Sequence, residues 1–184
     1  MIKNIFIIFF CLMTFTAKSQ EGNVEKSING IQAGYLGMWL HNETRISKNV
    51  VLRSELGLNS EWVGVNNETT LLITPVIVLE PKWYYNIEKR HKKSKKTSGN
   101  SANFISLKTE FTPNWFVISN NNISVNNQIF IVPSWGLRRS IGDHFNYEVG
   151  AGVGYRYSFI NNTGISGNVG DFDFDLHLRI GYKF

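Results

Sequence analysis

The sequence predicts an all-β chain, an up-and-down antiparallel transmembrane β-barrel of about eight strands. Period-two alternation of apolar and polar residues recurs in segment after segment. These segments run to roughly 12 to 17 residues, against about 9 to 11 needed to cross a bilayer and about 5 to 6 in an average soluble strand. Their connections are short and rich in Asn and Gly, as in Asn120-Asn121-Asn122 and Asn161-Asn162-Thr163-Gly164, which makes the strands a meander. The composition, 42% hydrophobic and 18% charged over 184 residues with 4 Pro, suits one folded domain and excludes a disordered or collagen-like chain.

The first residues read as a secretory signal. Lys3 is the positive start, Ile5 to Met13 the apolar core, and Ala17 and Ser19 the small residues before cleavage at Gln20. That apolar run is too short to span a bilayer as a helix. The expected division is a signal peptide at 1–19 and a single outer-membrane barrel domain at 20–184. Cys11 would leave with the signal, and Phe10 before it is not the small residue that a lipoprotein site needs. The mature chain would then hold no thiol, disulfide or thiolate metal site.

A first strand of weak phase is expected from about Ile31 to Ile46. From Val50 to Trp62, Leu52, Leu56, Leu58 and Trp62 share one face, opposed by Arg53, Glu55 and Glu61. Leu71 to Tyr85 sets Ile73, Ile77, Leu79, Trp83 and Tyr85 against Glu80, Lys82 and Tyr84. Phe104 to Ile118 sets Ile105, Leu107, Phe111 and Trp115 against Lys108 and Glu110, and Gln128 to Arg139 sets Ile129, Ile131, Trp135 and Leu137 against Ser134 and Arg138. Phe145 to Phe159 opposes Tyr147, Val149, Val153, Tyr155 and Tyr157 to Glu148 and Arg156. The last segment opposes Phe172, Phe174, Leu176, Leu178, Ile180, Tyr182 and Phe184 to Asp173, Asp175, His177, Arg179 and Lys183. Seven strands are clear, whereas single-chain bacterial barrels have an even number. An eighth between Gln20 and Gly30 would turn the Glu88 to Ala102 connection to the periplasm; one between Asn161 and Gly170 would turn it outward. Pro75, Pro81, Pro113 and Pro133 all fall inside strands, where each removes a ladder donor and predicts a bulge or kink.

The apolar faces are expected to point outward. Trp62, Trp83, Tyr85, Trp115, Trp135, Tyr157, Tyr182 and Phe184 lie on them, mostly near strand ends, as interface girdles require. Acids and bases on the opposite faces balance, eight against eight, as charges enclosed in a narrow lumen must. The expected lumen network comprises Arg53, Glu55, Glu80, Lys82, Lys108, Glu110, Arg138, Glu148, Arg156, Asp173, Asp175, His177 and Arg179. Gly136, Gly150, Gly152 and Gly154 would make room for its long side chains. Eight strands enclose only enough space for side chains, so the interior reads as a salt-bridged plug.

In these features the chain resembles the small outer-membrane β-barrel family typified by the eight-stranded OmpX and the membrane domain of OmpA. The signal, the dyad strands and the final Leu176-His177-Leu178-Arg179-Ile180-Gly181-Tyr182-Lys183-Phe184 carry the resemblance. The last segment has aromatics at the last and third-last positions, which in that family implies recognition by the outer-membrane assembly machinery. The resemblance implies an outer-membrane location and lipid as the surrounding partner, and it leaves the activity open, because such folds host many functions.

The expected function is that of a small, non-enzymatic integral barrel with no cofactor and no metal. The candidate anion-binding loop is Lys89, Arg90, Lys92, Lys93, Lys95 and Lys96, six bases that could meet lipopolysaccharide phosphates. Nucleic acid is not expected, since the loop has no interleaved aromatics. Asp171-Phe172-Asp173-Phe174-Asp175 has the alternate acids of a calcium loop but Leu176 where that loop needs Gly. Asp173, Asp175 and His177 could activate a water, although an ion pair with Arg179 and Lys183 is the commoner use of such a face. The alternatives are a barrel enzyme modifying envelope lipid or peptide, and a soluble exported barrel binding an apolar ligand.

Overall fold

A computed structural model describes residues 22–65, 68–121, 124–159 and 169–184. The expected signal peptide, Asn66-Asn67, Asn122 and the expected turn from Asn161 to Gly164 lie outside the described residues.

One antiparallel sheet closes into a ring of eight strands. The ring runs β1 (Ser27–Gly34), β2 (Gly37–Arg45), β3 (Val50–Val65), β4 (Glu68–Trp83), β5 (Asn103–Thr112), β7 (Gln128–Ile141), β8 (Phe145–Ser158) and β9 (Val169–Lys183), and β9 pairs back onto β1. The two-residue β6 (Ile118–Ser119) extends the β5 side of the wall.

The expected strand at Ile31 to Ile46 is two strands. A two-residue turn, Tyr35-Leu36, joins β1 to β2 with Gly34 opposite Gly37. Gly37 has φ +143°, and a Cβ there would lie 2.0 Å from the Leu58 carbonyl oxygen, so only glycine fits. The eighth strand therefore starts at Ser27, and the Tyr84 to Ala102 connection lies at the same end of the barrel as the N-terminal start of β1 and the C-terminal end of β9. That end is called here the terminal end.

The prolines act in two ways. At Pro81 and Pro133 a pair of ladder positions is lost, yet the register is the same on both sides. Pro75 and Pro113 do more. The β4–β5 register, continued past Ile77 opposite Phe111, would set the two prolines facing each other, and the ladder stops there. It resumes as Ile73 opposite Ile118, three residues out of step, so the expected strand to Ile118 is broken at Pro113.

The terminal end has a floor. The connection after β4 forms a short helix, α1 (Ile87–Lys92), then a 3-10 turn at Ser98–Asn100. Tyr84, Ile87 and Ala102 pack with Val24, Val51 and Phe104 into one buried apolar cluster, with Tyr84 and Phe104 edge to face at 5.7 Å. The backbone N–H of Glu25 donates to Asn100 Oδ1 at 2.8 Å, and Glu25 in turn accepts from the Gly99 N–H, which ties the start of the chain to this floor.

The opposite end is uneven. β1 pairs with β9 only from Gly30 to Gly34, opposite Lys183 to Arg179, so β9 before Arg179 has no β1 partner. Along that edge the Phe172 N–H donates to Asp171 Oδ1 at 2.7 Å, and the Phe174 N–H to Asp173 Oδ1 at 2.8 Å.

Candidate functional site

The sheet alternation sorts the side chains by polarity, with apolar residues outside. Phe172 and Phe174 are each 74% exposed, and Leu176, Leu178 and Ile180 are nearly as open, while Arg53, Arg138, Lys82 and Glu43 are fully buried in the lumen. Long charged side chains bury this deeply only when paired.

The pairing is extensive at the terminal end. Arg53 Nη1 donates to Glu43 Oε1 at 3.1 Å and to Glu148 Oε2 at 3.2 Å, and its remaining nitrogens donate to Glu55 and Gln32. Arg138 Nη1 donates to Glu43 Oε1 at 2.5 Å. Lys82 Nζ donates to Glu148 Oε1 at 2.6 Å and sits 4.1 Å from the centre of the Phe104 ring. Arg179 Nη1 holds both oxygens of Glu55 at 2.9 and 3.0 Å, with its guanidinium 3.9 Å from the Trp39 ring. Glu80 accepts from Ser106 Oγ at 2.6 Å. In the ring order β3 stands opposite β8, and β2 opposite β7. Arg53–Glu148 and Arg138–Glu43 therefore cross the full width of the lumen.

Toward the far end the packing loosens around a cavity of about 210 Å³ lined by Lys108, Glu110, Arg156, Asp173, Asp175 and His177, among others. Lys108 Nζ donates to Asp175 Oδ1 at 2.6 Å, and His177 meets Asp175 Oδ2 at 3.3 Å and Glu148 Oε1 at 3.6 Å. Arg156 pairs with Asp173 at 2.7 Å, but these two side chains are 25% and 44% exposed.

All thirteen residues of the expected network thus face the lumen side of the sheet. The set omitted its most connected acid. Glu43 accepts from Arg53, Arg138, Tyr84 and Asn100, the last at 2.7 Å. The glycines do a different job from the one expected. A Cβ at Gly136 would lie 2.4 Å from Phe104, one at Gly150 would lie 2.4 Å from His177, and Gly152 and Gly154 face Val132. They make room for rings and a branched side chain, not for Arg and Glu.

The acids of the catalytic candidate are ion-paired, but not with the expected Arg179 and Lys183, which pair with Glu55 and Glu25 instead. Asp173 holds Arg156, Asp175 holds Lys108, and Gly150 rather than a hydroxyl lies against the His177 ring. Asp171 and Asp173 each bind a backbone N–H, and among the described residues no group of three or more His, Cys, Asp or Glu is placed to hold a metal.

The aromatic residues form two levels. Trp83, Tyr85, Trp135, Tyr182 and Phe184 lie toward the terminal end, and Trp62, Trp115 and Tyr157 toward the other. The six basic residues divide as well. Lys92 pairs with Glu88 at 2.6 Å, which holds that carboxyl below its usual range, and Lys96 Nζ donates to the Gly142 carbonyl. Lys89, Arg90, Lys93 and Lys95 gather around one depression with Tyr85, Asn86 and Asn103.

No family model, curated protein or solved structure matches the chain.

Proposed function

We propose that this chain is a small integral outer-membrane β-barrel protein that works without catalysis, closed to solute through its axis. The observation that carries this reading is the inverted polarity of the sheet, an apolar exterior around a buried ion-pair lattice. In water such an exterior would be a continuous exposed apolar surface, far larger than soluble monomers carry. In a bilayer it is the required surface, and pairing of β9 back onto β1 over Gly30 to Gly34 closes the sheet, as a strand-built crossing of hydrocarbon requires.

The aromatic levels support the same reading. Trp83, opposite Val50, and Trp62 lie twelve residues apart along the β3 register. With the usual rise and a tilt near 40°, that places them about 30 Å apart along the barrel axis, the thickness of a hydrocarbon core. An even number of strands brings both ends of the barrel chain to one side, and insertion from the periplasm would leave that side facing the periplasm. The α1 connection and its bases would then face the periplasm too. The soluble-barrel alternative needs an apolar lumen, whereas this one is lined by charge.

The test is to fractionate expressing cells and run the envelope, boiled and unboiled, on a denaturing gel. The expected result is a protein in the outer membrane whose unboiled band migrates apart from the boiled one. Release with the periplasmic fluid, with no shift on heating, would overturn the proposal. Single-channel steps from the purified protein in planar bilayers would overturn the closed axis.

A further inference from the structure

We infer that the depression formed by Lys89, Arg90, Lys93 and Lys95 is a headgroup site for an anionic glycerophospholipid of the periplasm-facing leaflet. The inference rests on the membrane reading above and adds a ligand to it.

The first support is selection among the bases. The run from Lys89 to Lys96 could have remained an evenly solvated loop. Instead Lys92 is turned to Glu88 and Lys96 to the Gly142 carbonyl, while the other four bases line a single cavity of about 450 Å³. No carboxylate lines that cavity. Arg90 is also anchored, its Nη2 donating to the Lys96 carbonyl at 3.1 Å. Four basic residues around one space favour an anion there, and a phosphodiester offers one negative charge with oxygens that accept from them.

The second support is position. The cavity wall includes Tyr85 and Asn103. Tyr85 Oη accepts from Trp135 Nε1 at 3.0 Å and lies edge-on to Trp83 with ring centres 6.0 Å apart. Trp83 and Trp135 are each 48% exposed on the outer wall, so the basic cavity opens beside the apolar belt and not on the axis. A ligand that fits both regions has a phosphate next to acyl chains. Tryptophan and tyrosine at the headgroup level with bases just beyond them are the parts of such a site. Lipopolysaccharide occupies the other leaflet, and a soluble polyanion would have no use for the adjoining tryptophans.

The experiment uses the full barrel in bilayers of phosphatidylglycerol and phosphatidylcholine, with Trp62→Phe and Trp115→Phe removing the other two exposed tryptophans. Trp39, buried in the lumen, stays as a background that lipid does not reach. Brominated chains are placed on one lipid at a time, and quenching reads which lipid sits at Trp83 and Trp135. The expected result is enrichment of phosphatidylglycerol there, reduced about fivefold for each base removed in Lys89→Gln/Lys93→Gln. The charge-matched Lys92→Gln/Lys96→Gln should leave the enrichment in place.

Equal loss in both double variants would overturn the site in favour of general surface charge, and no enrichment in the parent would overturn it outright. Displacement of phosphatidylglycerol by excess glycerol 1-phosphate would overturn the lipid in favour of a soluble phosphate. Each variant is first checked for its heat-shifted band. A parent barrel that keeps the shift but lacks enrichment refutes the lipid site alone, whereas one that never shows the shift refutes the membrane reading beneath it.

Discussion

The two halves of the lumen use the same chemistry to different effect. At the terminal end, Arg53, Arg138, Lys82, Glu43 and Glu148 are sealed beneath an apolar floor and bonded across the full width of the barrel. At the far end, Arg156 and Asp173 pair with comparable geometry but stay open to solvent beside a cavity. Ion-pair geometry therefore says little about stability here. What matters is whether removing one partner strands the other where water cannot reach it.

Arg53→Ala should separate the two halves most sharply. It leaves Glu43, Glu55 and Glu148 short of a cation in a dry site, so a loss of about 3–5 kcal/mol is expected in detergent unfolding by urea. An unchanged midpoint would mean that water already enters this end. Next comes Gly136→Ala, which sets a methyl against the Phe104 ring of the floor. A cost of about 1–3 kcal/mol is expected in the same assay.

Arg156→Ala should cost less than about 1 kcal/mol, because water can solvate the Asp173 left behind. A loss as large as that of Arg53→Ala would abolish the distinction between the halves. Outside the barrel, Glu88→Gln should move the midpoint least of all, since the pair is fully exposed. Since Lys92 depresses the Glu88 carboxyl, any contribution from that pair is present above the ordinary carboxylate range and fades as the pH falls through its lowered folded value. Thermal melts of wild type and Glu88→Gln titrated together should show at most a small gap at neutral pH, closing as the pH falls.

The alternation that defines the other six expected segments was legible because each keeps its buried residues on one parity, Pro75 and Pro113 apart. The first hairpin was obscured by its tight turn, although a signal was present. β1 buries even positions, Ile28 and Gln32, while β2 buries odd ones, Trp39, His41 and Glu43. A change of parity within one apparent strand marks a two-residue turn, and Gly34 and Gly37 flank it. Glu43 could not be ranked above the other acids from sequence, because its importance comes from Arg138 on the opposite wall and Asn100 in the floor. Six residues are too few for α1 to show a helical period. The meeting of Pro75 with Pro113 required knowing the register as well as the strands.

The bare edge of β9 bears on how these molecules coexist at high density. A protruding strand with unoccupied donors is a template onto which another chain can add. At Phe172 and Phe174 the donors are taken by the preceding aspartates, Asp171 and Asp173, the second of which also holds Arg156. A second copy approaching this stretch of the edge meets two donors that are already taken, so crowded barrels should remain separate. Asp171→Ala/Asp173→Ala should convert the rim into a self-adhesive one, visible as concentration-dependent growth in light scattering of the detergent-solubilised protein.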